Sequence, residues 1–122
     1  MSEGQSAALG REGEALAAAY YRRAGFSVLA RNYRTRMGEI DVIARKGALL
    51  VFCEVKTRRS DAFALPCEAV TPAKQQRLVR AAQLYLSHLQ GQEVYARFDV
   101  VEVLLAPTGA PRLHCIENAF SL

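Results

Sequence analysis

The apolar positions along this chain change period several times, and each change marks an element. Leu9, Leu16, Tyr20 and Ala24 fall near helical spacing with alanines between them, and Gly25 supplies a stop, so a helix is expected over 9–24. Residues 1–8 are small and polar and are expected to fray. Phe26 to Arg31 reads as a short strand, Gly38 opens a second over Glu39 to Arg45, and Lys46-Gly47 is the expected turn into a third, Ala48 to Lys56. Residues 57–70 follow no period and read as a long loop. Thr71 as cap and Pro72 in the first turn begin a second helix that Gly91 closes, with Leu78, Ala82, Tyr85, Leu86 and Leu89 as its buried stripe. Phe98 to Leu105 and Leu113 to Glu117 complete the pattern as strands on either side of a Pro and Gly loop. The order αβββαββ predicts an α/β (α+β mixed) fold, a mixed central sheet flanked by helices, in one domain spanning 1–122.

Charge interrupts the apolar pattern in the hairpin. The third strand carries Leu49, Leu50, Val51, Phe52 and Val55, yet ends in Glu54 and Lys56, while its partner carries Asp41. Charges on strands that are otherwise so apolar need a reason, and a metal site is one. With Lys46-Gly47 as the two central turn residues, Asp41 lies opposite Phe52 and diagonal to Glu54, on the face that also holds Lys56. Diagonal neighbours lie about 7 Å apart, a gap that two carboxylates and a divalent ion can bridge. Glu12 and Glu14 sit early in the first helix, where the dipole alone favours acids, and spacing does not decide whether either faces the sheet.

Composition narrows the partners. Half the residues are hydrophobic and 23% are charged, as in an ordinary globular domain. No apolar run approaches the roughly 20 residues of a membrane span, and the N-terminus does not resemble a signal peptide, so no membrane partner and a cytoplasmic location are expected. Cys53, Cys67 and Cys115 are widely separated and form no zinc motif, so free or buried thiols are expected. The net charge of +4 is uneven: residues 1–60 hold 11 Lys or Arg against 6 acids, residues 61–122 hold 5 against 6. Basic charge around a few carboxylates suits a polyanion whose phosphates follow the field. Arg31, Tyr33, Arg34 and Arg36 could grip phosphate and stack on a base, Arg58 and Arg59 flank the hairpin, and Lys74 and Arg77 stand at a helix N-terminus that favours anions. A solvated basic surface is the plain alternative for each.

An acid on one strand followed by Glu-x-Lys on the next suits metal-dependent phosphodiester cleavage: two carboxylates hold Mg²⁺ and a lysine meets the developing charge. The segments Gly13-Glu14, Arg31-Asn32-Tyr33-Arg34, Gly38 to Ala44, Phe52 to Arg58, and Lys74 together resemble the endonuclease-like UPF0102 family. That family is related to restriction endonucleases and archaeal Holliday junction resolvases of the PD-(D/E)XK superfamily. The resemblance implies a restriction-endonuclease-like αβββαβ core. It also implies Asp41, Glu54 and the Val55 carbonyl as ligands of Mg²⁺ or Mn²⁺, Lys56 as catalytic lysine, and Glu14 as a helix acid leaning toward the metal. Ile40 stands where the superfamily's nominal proline would be. The implied function is a metal-dependent DNA endonuclease acting on branched or single-stranded DNA, as a possible homodimer. Two alternatives are a catalytically silent nucleic-acid-binding module on the same fold, and a solvated strand end in which Glu54 merely pairs with Lys56.

Overall fold

Alanine-rich and free of proline, the N-terminal stretch forms helix α1, Glu3–Arg23. It is followed by β1 (Ser27–Arg34), β2 (Glu39–Lys46), β3 (Leu49–Arg59), α2 (Pro72–Ser87), β4 (Tyr95–Leu105) and β5 (Arg112–Phe120). The computed structural model describes residues 3–59 and 70–121, with side chains from residue 7 onward; Cys67 and most of the expected 57–70 loop lie outside the described residues. The five strands form one sheet in sequence order, antiparallel except for the parallel pair β3–β4. Parallel neighbours need a crossover, and α2 supplies it. The expected αβββαβ core is therefore present, with β5 added at one edge.

The boundaries differ from the sequence expectation for identifiable reasons. Helix α1 starts at Glu3 rather than Leu9, because Ser, Gln and Ala there are compatible with a helix. Strand β1 extends to Arg34 because β2 offers partners, Ile40 to Tyr33 and Glu39 to Arg34. Strand β3 continues to Arg59 because β4 runs beside it as far as Leu105. Helix α2 begins as expected, with Thr71 Oγ1 accepting from Lys74 N at 3.2 Å, but ends at Ser87 with His88 as cap instead of reaching Gly91. Leu89, beyond the helix, still packs on the core.

The hairpin turn is Gly47-Ala48, not Lys46-Gly47, since Lys46 pairs with Leu49. Gly47 has φ +60°, as the first central residue of a type II′ turn requires. The offset from the expected register is two residues, so face parity survives, and Phe52 pairs with Ile43 rather than Asp41.

Alternating strand residues fill two layers. On the α1 side lie Ala17, Tyr21, Val42, Ala44, Val51, Cys53, Val101 and Val103. On the α2 side lie Ile40, Ile43, Leu50, Phe52, Leu78, Ala81, Ala82 and Phe98. The face α1 buries is Gly13, Glu14, Ala17, Ala18 and Tyr21, not the expected line of Leu9, Leu16, Tyr20 and Ala24. Small residues let the helix axis approach the sheet, and Leu16 and Tyr20 pack as half-buried flanks. A Cβ on Gly13 would collide with the Thr57 side chain. The register is displaced between Val28 and Ala30 on β1 and between Phe98 and Val100 on β4, and Asn32 and Asn118 on the edge strands have φ of 52° and 53°.

Candidate active site

The β2–β3 ladder runs from Lys46↔Leu49 to Val42↔Cys53 and ends there, although β2 begins at Glu39 and β3 continues to Arg59. Each strand keeps its other partner over this stretch, β2 with β1 and β3 with β4. The sheet is therefore split between β2 and β3, with Glu39 to Asp41 on one prong and Glu54 to Lys56 on the other. Strict alternation also fails here: Val42 packs on the α1 side, yet Ile40, two residues away, packs on the α2 side. Asp41, between them, turns into the gap, where its Oδ2 accepts a hydrogen bond from Val55 N at 2.8 Å. Its carboxylate thus takes the place of a ladder carbonyl. In an extended strand a residue's N–H and C=O point to the same neighbour, so the Val55 carbonyl faces the gap as well.

Glu54 and Lys56 follow on β3, two residues apart and on one face, joined by an ion pair of 3.4 Å with side chains only 16% and 17% exposed. The Glu54–Lys56 pair expected of a plain strand end is therefore present, but it is largely shielded rather than solvated. Burial first, then the charge of Glu54, push the Asp41 carboxyl up to about 7, with Glu14 and Glu39 adding and the Val55 N–H opposing. From the opposite layer α1 brings Glu14, buried, with an Oε2 that has no hydrogen-bond partner among the described residues. Across the gap, contact with the Lys56 ammonium lowers the pKa of Lys74 on α2, with burial adding and Glu54 and Asp41 opposing.

A cavity of about 540 Å³ opens beside the fork, with Glu54 in its lining. The turn between β1 and β2 forms one wall with Arg34 and Arg36, and α2 forms the other with Lys74 and Arg77. Gly38 seats that turn on α2: a Cβ there would lie 2.7 Å from the Arg77 carbonyl oxygen. Of the residues expected to touch nucleic acid, Arg31, Arg58 and Arg59 do not line this cavity. Tyr33 is committed to the core, edge-on to Tyr85 at 5.4 Å, because β1 extends through it and turns its ring under α2.

The oxygens facing the gap suit a hard cation such as Mg²⁺ or Mn²⁺: Asp41, Glu54 and the Val55 carbonyl, with remaining positions left for water or phosphate. The unpartnered Glu14 oxygen fits the same neighbourhood. Among the described residues no three acidic, histidine or cysteine side chains are grouped so that they could hold a metal ion between them.

A third buried carboxylate is not among the site residues expected from the sequence. Asp99 on β4 accepts from Tyr21 Oη at 2.7 Å, Arg97 Nε and Nη2 at 2.9 Å each, and Asn118 N at 3.1 Å, with Cys115 Sγ at 3.8 Å. Its signal was Arg-x-Asp in an apolar strand, which places opposite charges on one face. Cys53 and Cys115 are free thiols, and burial raises the pKa of both.

The mixed five-stranded sheet with its αβββαβ core places the protein in the nuclease-like α/β class. Within it, the chain belongs to the uncharacterised protein family UPF0102, whose family model matches residues 13–103. It is 51% identical to the UPF0102 protein of Symbiobacterium thermophilum, over 92% of this chain and 95% of the relative. It is also 48% identical to the UPF0102 protein of Syntrophus aciditrophicus, over 97% and 92% respectively. The matched span contains Glu14, Asp41, Glu54, Lys56 and Lys74. Among the described residues no helix is long and apolar enough to cross a membrane.

Proposed function

We propose that this protein is a Mg²⁺- or Mn²⁺-dependent DNA endonuclease that hydrolyses phosphodiester bonds in branched or single-stranded DNA. The fork carries this reading: Asp41 is turned into a gap beside Glu54 and Lys56 where an ordinary sheet would have closed its ladder. Asp41, Glu54 and the Val55 carbonyl would hold the ion, and Glu14 would hold a water or a second ion from the α1 side. When bound, the divalent ion lowers the pKa of a water and neutralises phosphate charge. Lys56, paired with Glu54 at 3.4 Å, would donate a hydrogen bond that orients the attacking water or meets the non-bridging oxygen on which charge builds. Lys74, Arg77, Arg34 and Arg36 hold the flanking phosphates along the two cavity walls. A symmetric pair of chains would supply two sites for two strands.

The test is cleavage of four-way junctions, flaps, single strands and plasmid in Mg²⁺ or Mn²⁺ by the wild type, Asp41→Ala and Lys56→Ala. The wild type should cut, and each variant should lose about 100-fold or more in rate. Products formed equally by the variants would sink the proposal. One observation favours a second reading, a nucleic-acid-binding module without turnover: no three acidic, histidine or cysteine side chains are grouped to hold a metal ion among the described residues. Salt-sensitive, metal-independent binding with no products would support it.

A further inference from the structure

We propose that Met37, at the tip of the β1–β2 turn, is an apolar wedge that selects DNA with an unpaired or weakly stacked base; this rests on the endonuclease reading of the neighbouring fork. Met37 is 52% exposed, and among the described residues only Leu29 and Tyr95 are other large apolar side chains left so open. Met37 alone of the three lines the cavity that holds Glu54.

The turn that carries it is tied by its own hydrogen bonds. Thr35 N donates to Gly38 O at 2.8 Å and Thr35 Oγ1 to the same oxygen at 2.9 Å, while Met37 N and Gly38 N donate to Thr35 Oγ1 at 3.0 and 3.1 Å. Gly38 fixes the base of the turn against the α2 backbone at Arg77. The Met37 side chain makes none of these bonds, all of which come from Thr35 and the backbone. Its presentation on a clamped prong is what an inserting side chain needs.

Charge decides what meets it. Arg34 and Arg36 flank Met37 on its own wall, and Lys74 and Arg77 stand opposite, so a bound strand has its phosphates drawn to both walls. The apolar tip between them then meets bases. In a fully paired duplex the base faces are stacked on each other, and opening a step costs free energy; an unpaired or branch-point base offers an apolar face with less of that cost. The flexible thioether adapts to any base, so the selection is for distortion and not for sequence.

The test needs no turnover. A duplex with one unpaired 2-aminopurine and its fully paired counterpart are titrated with wild type, Met37→Ser and Met37→Leu without divalent ion, reading anisotropy and 2-aminopurine fluorescence. The wild type should bind the unpaired duplex about tenfold more tightly and change its fluorescence; Met37→Ser should bring the ratio near one, and Met37→Leu should keep it. Met37→Ser with an unchanged ratio and fluorescence overturns the wedge while leaving the endonuclease proposal standing. A wild type that neither binds nor cuts any DNA removes both.

Discussion

Asp99 and Asp41 lie on β4 and β2 of the same sheet, and both are buried. Asp99 is met on every side: a bidentate guanidinium, a tyrosine hydroxyl, a backbone amide and a thiol surround it, and the pairing raises the pKa of Arg97. Asp41 accepts from the Val55 amide and has the acids Glu54, Glu14 and Glu39 acting on it, with the Lys74 ammonium on α2 also in reach of its charge. Burial is common to the two, and completion is not. The chain supplies the counter-charge for Asp99 itself, which makes that group part of the architecture. Among the described residues Asp41 has no such clamp, and the Lys74 ammonium that feels its charge is shared with Glu54.

The largest test of this contrast is Asp99→Ala, which leaves Arg97 with only the 3.7 Å contact to Glu117 and Tyr21 without its carboxylate acceptor, and should cost about 3–5 kcal/mol in urea unfolding; an unchanged midpoint would erase the distinction. Asp41 should behave in the opposite sense. Its folded pKa is raised from 3.8 to about 7, so the folded protein binds this proton more tightly than the unfolded chain does. The resulting stability is complete below 3.8 and is lost as pH rises to about 7. Asparagine does not titrate and keeps an acceptor for Val55 N. Without divalent ion, Asp41→Asn should therefore be more stable than wild type by about 2 kcal/mol at high pH, with the gap closing in acid. Equal pH profiles for the two proteins would show that Asp41 carries no conflict. The smallest effect concerns α1, which serves both carboxylates, reaching the fork through Glu14 and Asp99 through Tyr21. Gly13→Ala pushes the helix off Thr57 next to Glu14, and should cost about 1 kcal/mol of stability but about tenfold in cleavage rate. Loss in stability alone would place Glu14 outside the site.

Much of this arrangement is legible in the sequence because the signals are local. Thr71-Pro72 caps its helix, Gly25 ends the first one with φ +92°, and strong β-formers outline each strand of the sheet. The turn was misplaced because glycine serves either central position of a two-residue hairpin, so Lys46-Gly47 and Gly47-Ala48 look alike until pairing is seen. The buried face of α1 differs from the line of large side chains because Gly13, Ala17 and Ala18 let the backbone approach the sheet. Neither the split between β2 and β3 nor the partners of Asp99 could be read, since both depend on residues far apart in the chain. Asp99 is joined to Tyr21 across 78 positions.

The two left-handed asparagines have a consequence outside the site. With β1 and β5 at its margins, the sheet ends in two rows of backbone groups that a foreign strand could join. On each margin strand the regular spacing of those groups is broken, by the displaced pairing near Val28 with Asn32 on one side and near Phe98 with Asn118 on the other. A strand arriving from a misfolded neighbour finds no straight template at either margin, and the sheet resists growing sideways into an aggregate.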